Sequence, residues 1–172
     1  MADALKSWLW CVMLAGAWGD LSGGTHRSTD PVASILRLHA IEREGHLKGD
    51  ANLVSSVLAD SVVSIQNGDV EVRSRDQMRR GFAEYFSAVA YASWEDIIKP
   101  LVHISRDGGM AWSVIRIRAQ FREKSDPSGK VQEFTSSWIA TYEKNKSGWH
   151  MSGISSGCDP PCGPPPESSS RE

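Results

Sequence analysis

His39, Glu42 and His46 follow one another at spacings of three and four residues within a stretch that alternates apolar and polar positions. Placed at about 100° per residue around a helix, Val32, Ile35, His39, Glu42 and His46 fall on one side, with Arg37, Glu44 and Lys48 opposite. The helix therefore turns a carboxylate and two imidazoles toward whatever it packs against. Such a set can move a proton, because a carboxylate stabilises the charged form of a nearby imidazole and burial destabilises it. The same three groups are a possible ligand set for a metal. A tetrahedral metal needs a further ligand from another element, so no metal is assigned. The plainer alternative keeps Glu42 in a structural hydrogen bond with the histidines as filling, and both readings stay open at this point. Nucleophilic chemistry has little support: there is no phosphate-cradling glycine loop and no zinc-protease helix.

The elements that must hold these residues are legible. Asp30 and Pro31 start a helix that runs through Ile35, Leu38 and Glu42 to a stop near Gly49. A short second helix after Asp50 carries Leu53, Val54, Val57 and Leu58. Val62 to Ile65 and Val70 to Val72, divided by Asn67-Gly68, describe a hairpin. Ser74 and Gln77 form a capping box for a third helix with Met78, Phe82, Phe86 and Val89 at helical spacing. From Trp94 onward the pattern is strand, in runs at about 94 to 105, 110 to 123, 131 to 144 and 148 to 155, divided by turn residues. Four such runs predict an antiparallel meander. In the second, Ala111, Ser113, Ile115, Ile117, Ala119 and Phe121 alternate with Trp112, Val114, Arg116, Arg118 and Arg122, one face core and the other wet.

This order resembles the SnoaL-like families of the nuclear-transport-factor and ketosteroid-isomerase-like superfamily over residues 32 to 156. The resemblance is carried by Lys48-Gly49-Asp50, Leu58-Ala59-Asp60, Gly109-Met110-Ala111-Trp112, and Tyr142 to Trp149. It implies an α+β fold in which a curved antiparallel sheet wraps three helices into a cone with a pocket, no cofactor, a small-molecule partner and a homodimer. The position of the isomerases' catalytic aspartate falls on Gln66 and that of their tyrosine donor on Glu42. Gln66 is no base at neutral pH, which argues against steroid isomerisation by that mechanism.

Within the implied cone, Glu42, His46 and His39 are the candidate acid and base groups of a cofactor-free isomerase, cyclase or dehydratase. Gln66, Trp94, Trp138, Tyr142 and Ser155 are the candidate ligand contacts, with the aromatic residues forming an apolar wall suited to an aromatic molecule. Simple core packing accounts for the same aromatics. A second hypothesis is a non-catalytic domain that dimerises through the outer sheet face, where Trp112 and Val114 lie among arginines.

The chain has 172 residues, 40% hydrophobic and 23% charged, enough for one core. Its formal net charge of -2 gives no pull toward nucleic acid or an anionic membrane. Residues 1 to 17, with Lys6, an apolar run from Trp8 to Leu14 and Ala15-Gly16-Ala17, match a secretory signal peptide, which places the mature protein outside the cell or in the periplasm and off the membrane. Residues 18 to 28 form a Gly/Ser/Thr-rich linker, 29 to 156 the folded domain, and 157 to 172 a Pro/Ser-rich tail. Cleavage after Ala17 leaves Cys158 and Cys162 as a disulfide or two idle thiols.

Overall fold

A computed structural model describes residues 30–66 and 68–159. The expected signal peptide and linker, and the expected tail beyond Asp159, lie outside the described residues.

Helix α1, Pro31–Lys48, begins where the sequence marks it: the Asp30 side chain accepts from Val32 N at 3.0 Å, and Pro31 takes the first turn, where its missing N–H costs nothing. It ends at Gly49, whose φ of 64° is the left-handed conformation that glycine adopts without strain. Asp50 caps the short α2, Ala51–Ser55, by accepting from Asn52 N and Leu53 N. The chain then enters β1, Leu58–Gln66, and turns at Gly68 into β2, Asp69–Ser74; Gln66 pairs with Asp69, so the connection is two residues long. Helix α3, Arg75–Ala88, opens with the complete Ser74/Gln77 capping box.

The third helix stops one residue before Val89, which the helical spacing had included. Val89 takes an extended conformation and opens β3, Val89–Asp96, because pairing with Glu123 on the neighbouring strand gives its β-branched side chain a buried sheet position. The expected run from 94 to 105 is accordingly two strands, β3 and β4, Leu101–Ile104. Both pair with β5, Met110–Glu123, the first along its second half and the other along its first half. β6, Gln132–Asn145, and β7, Gly148–Asp159, complete the meander. β7 continues three residues past the expected domain end, since Gly157, Cys158 and Asp159 pair with Ser137, Ser136 and Thr135.

The sheet order is β2-β1-β7-β6-β5-β3, with β4 beside β5. It is antiparallel except where β1 runs parallel to β7, so the curved, unclosed sheet is mixed. Ile35 of α1, Val57, Leu58 and Val62 pack against Ile115, Ile117, Ala140, Tyr142 and Met151 to form the core between helices and sheet. On β5 the alternation holds as read, with Ala111 through Ala119 buried at every second position and Trp112, Arg116 and Arg118 exposed.

Two β-bulges reset which side chains face inward. On β7 the pairs Trp149/Lys144 and Met151/Tyr142 are followed by Gly153/Thr141, so one residue, Ser152, is extra. Before it the odd-numbered residues Trp149 and Met151 face the core; after it the even-numbered Ile154 and Ser156 do. β3 carries a similar irregularity between Tyr91 and Ser93, which brings both Tyr91 and Trp94 to the concave side.

Candidate functional site

The inward row of α1 is Ile35, His39, Glu42 and His46, all buried. Gly45 lets the end of this helix sit on α2: a Cβ there would lie 2.5 Å from Val54 Cγ2 and 2.9 Å from Val54 N. That close approach fixes the height of Glu42 and His46 above the sheet.

His46 has its tautomer set by the backbone. Its Nδ1 lies 2.9 Å from the carbonyl oxygen of Glu42, which can only accept, so Nδ1 carries the proton and Nε2 is left with the lone pair. The ring is enclosed by Phe82, Phe86, Tyr91 and Trp94, with the Trp94 ring 4.4 Å away, centre to centre. Burial among these rings pushes its pKa down despite the nearby Glu42, which keeps it neutral at neutral pH.

His39 is in the opposite state. Its burial disfavours charge, but the carboxylates of Glu42 and Asp96 outweigh that and raise its pKa. Nε2 lies 2.8 Å from Asp96 Oδ1, a hydrogen bond, whereas Nδ1 is 3.8 Å from Glu42 Oε2, an electrostatic approach beyond hydrogen-bond length. His39 stands behind Glu42 and does not line the cavity.

That cavity, of about 1040 Å³, opens between α1, α3 and the concave sheet. Glu42 and His46 lie on its helical side, and Trp94, Trp138, Tyr91, Phe121 and Phe134 supply the facing wall. Gln66, Glu123, Gln132 and Glu133 also line it; Gln132 Nε2 donates to Glu123 Oε1 at 3.0 Å. Buried polar atoms without a partner include Glu42 Oε2, His39 Nδ1 and the indole nitrogens of Trp94 and Trp138.

Of the residues expected at the site, Glu42, His46, Gln66, Trp94 and Trp138 come together here. Two do not. Tyr142 belongs to the core, where its hydroxyl and that of Ser113 share a hydrogen bond of 3.0 Å. Ser155 is on the convex face between Ile139 and Ile65, because the bulge at Ser152 exchanges it with Ser156, which lines the cavity. Sequence reasoning also passed over Tyr91, Phe121, Phe134 and Asp96. Phe121 was already on the inward side of β5, and its register partner Tyr91 follows from the pairing; Asp96 carries no local signal at all.

Chemically, the helical side offers the carboxylate of Glu42 and the imidazole of His46, and the wall offers aromatic rings. Among the described residues no group of three or more His, Cys, Asp or Glu is arranged to hold a metal ion, and no helix is long and apolar enough to cross a membrane. Cys158 is in a disulfide whose other half lies outside the described residues.

No family model matches the sequence, and no curated protein matches it. Solved structures do. A ketosteroid isomerase-like protein from Erwinia carotovora atroseptica superposes with a TM-score of 0.61 at 14% identity, over 79% of this chain and 99% of that one. A nuclear transport factor 2-like superfamily protein from Salmonella enterica serovar Typhimurium gives 0.62 at 14% identity, over 81% and 95%. A nuclear transport factor 2-like protein from Rhodospirillum rubrum, of unknown function in nutrient uptake, gives 0.56 at 14% identity, over 71% and 95%. Superposition at identities this low shows the fold alone and leaves the SnoaL-like reading a resemblance: the chain has the α+β cone fold of these nuclear transport factor 2-like and ketosteroid isomerase-like proteins.

Proposed function

We propose that this domain is exported and holds a small apolar or aromatic molecule in its cone, where Glu42 and His46 can move a proton on it without a cofactor, as an isomerase, cyclase or dehydratase would. The observation that carries this reading is Glu42, a buried carboxylate side chain on a residue that lines an aromatic cavity beside the neutral His46. A buried carboxylate is costly, His39 offsets that cost only from 3.8 Å, and a ligand that donates to Glu42 lowers it further. His46 adds a neutral Nε2 within the same cavity, and His39 serves as a positioning group that holds Glu42 by charge. The disulfide at Cys158 supports the exported location, since such bonds persist in oxidising compartments.

The test is native mass spectrometry of the chain lacking residues 1 to 17, as isolated from its host and again after denaturation. A co-purified small molecule released on denaturation is the expected result, and Glu42→Gln should then abolish any turnover of it. An unchanged rate removes Glu42 from the chemistry; a protein empty at every step removes the ligand.

A second reading is favoured by the convex face. The strand register aligns Leu101, Val114, Ile139, Ser155, Ile65 and Val70 in one row across six strands. The adjacent row holds Trp112, Thr141, Gly153, Val63 and Val72. Exposed apolar residues this contiguous are uncommon on a monomer, which supports a homodimer formed through the outer sheet. The dimer is compatible with a ligand in the cone and also with a domain that only assembles.

A further inference from the structure

We infer that the cavity selects an organic cation, a molecule with an apolar or aromatic body and one protonated or quaternary nitrogen. This rests on the small-molecule reading above and concerns the charge of the occupant.

The charges of the described lining residues are all of one sign. Glu42, Glu123 and Glu133 line the cavity, the last with its carboxylate turned to Gln120 and Arg118 on the convex side, and no lysine or arginine does. Strand parity produces this: Arg116, Arg118 and Arg122 alternate to the convex side of β5 while Ile117 and Phe121 face the cone. Lys124, just beyond β5, spends its ammonium on the carbonyl oxygen of Phe86, at 2.6 Å. The neighbouring histidines do not reverse the sign. His46 is neutral, and His39, even when protonated, sits between Glu42 and Asp96, one imidazolium against two carboxylates.

The carboxylates are not equivalent. Glu123 accepts from Gln132, and Glu133 accepts from Gln120 and lies 3.7 Å from Arg118. Glu42 is deep, 8% exposed, and its Oε2 has no hydrogen-bond partner. Facing it are Trp94 and Trp138, 5% and 6% exposed, with ring centres 6.1 Å apart, and Tyr91 with its ring 5.5 Å from that of Trp94. Aromatic faces attract cations through their quadrupoles, most strongly when water is excluded, and a low-dielectric cleft lined by one sign of charge focuses its field on the occupant. A neutral occupant would satisfy the wall without meeting the charge of Glu42, and an anion would be repelled by it.

Three probes with one naphthalene body test this on the chain lacking residues 1 to 17: (1-naphthylmethyl)trimethylammonium, 1-naphthylmethanol and 1-naphthylmethanesulfonate, each titrated by calorimetry into wild type and Glu42→Gln. The cation should bind roughly tenfold more tightly than the alcohol and the sulfonate most weakly, and Glu42→Gln should remove the cation's lead over the alcohol. An alcohol or sulfonate that binds as well as the cation overturns the charge selection and leaves the cavity reading standing. A cation that keeps its lead in Glu42→Gln overturns it too. No binding by any probe defeats the cavity reading together with the inference. Should Glu42→Gln fail to fold, the ranking of the three probes on the wild-type chain decides.

Discussion

His39 Nε2 lies 2.8 Å from Asp96 Oδ1, a contact between α1 and β3 that spans 57 positions of sequence. It ties the helix that carries Glu42 to the strand that carries Trp94, so the two sides of the cavity are joined by one charge-assisted hydrogen bond. Its contribution depends on pH with a definite sign. The folded pKa of His39 is raised above 6.5, so the stabilisation is fully present below that value and is lost as pH rises through the folded pKa.

Asp96→Asn should therefore lower the unfolding free energy by about 1 kcal/mol near pH 6, the partly exposed carboxylate limiting the size of the effect. The deficit should shrink toward about pH 9. Urea unfolding at both values measures it. Equal deficits would assign the contact to neutral hydrogen bonding.

His46 predicts the reverse. Its pKa is lowered by burial, so its neutral form contributes stability that is fully present above pH 6.5 and lost as pH falls through the folded value. His46→Phe removes this titration while keeping a ring among Phe82, Phe86 and Trp94. On going from about pH 7 to about pH 4.5, the melting temperature of wild type should fall more than that of the variant, by roughly 4 °C or more if about 1 kcal/mol of linkage is involved. Parallel falls would mean that His46 is already free to protonate in the folded state.

Ser155 and Ser156 separate the two faces of β7. Ser156→Trp should fill the cavity and weaken 1-naphthylmethanol binding by roughly tenfold or more, while Ser155→Trp, on the convex side, should leave it within about twofold. Calorimetry on both variants, with circular dichroism to confirm folding, reads the difference. The opposite ranking would place the bulge at a different residue.

Ile139 lies in the middle of the apolar row on the convex face, paired with Val114 and Ser155. If that face joins two copies, Ile139→Lys should convert a dimer to a monomer in sedimentation equilibrium and change the melting temperature of the monomer by no more than a few degrees. A wild-type chain that already sediments as a monomer at micromolar concentration removes the dimer reading.

Much of this protein is legible before folding. Asp30, Pro31, Gly49, Asp50, Ser74 and Gln77 mark helix ends through hydrogen bonds made within a few residues, so each is a local event that the sequence contains in full. The inward row of His39, Glu42 and His46 follows from helical periodicity alone, and the buried side of β5 from alternation. Local reasoning weakens where two patterns overlap. Val89 suits the end of the α3 stripe and the start of a strand equally, and only its pairing with Glu123 decides.

The site itself was decided in three dimensions. A β-bulge is an extra residue relative to a partner strand, so Ser152 can be recognised as one only when β6 is beside it, and with it the exchange of Ser155 for Ser156. The sequence placed Glu42 on the buried side of a helix but could not supply Asp96, 57 residues from His39, or the aromatic ring set that keeps His46 neutral. Helix caps and periodicities arise from bonds between near neighbours and are written in consecutive residues. The charge and proton state of a buried group depend on what the whole chain brings within a few ångströms of it, and those distances exist only once the chain has folded.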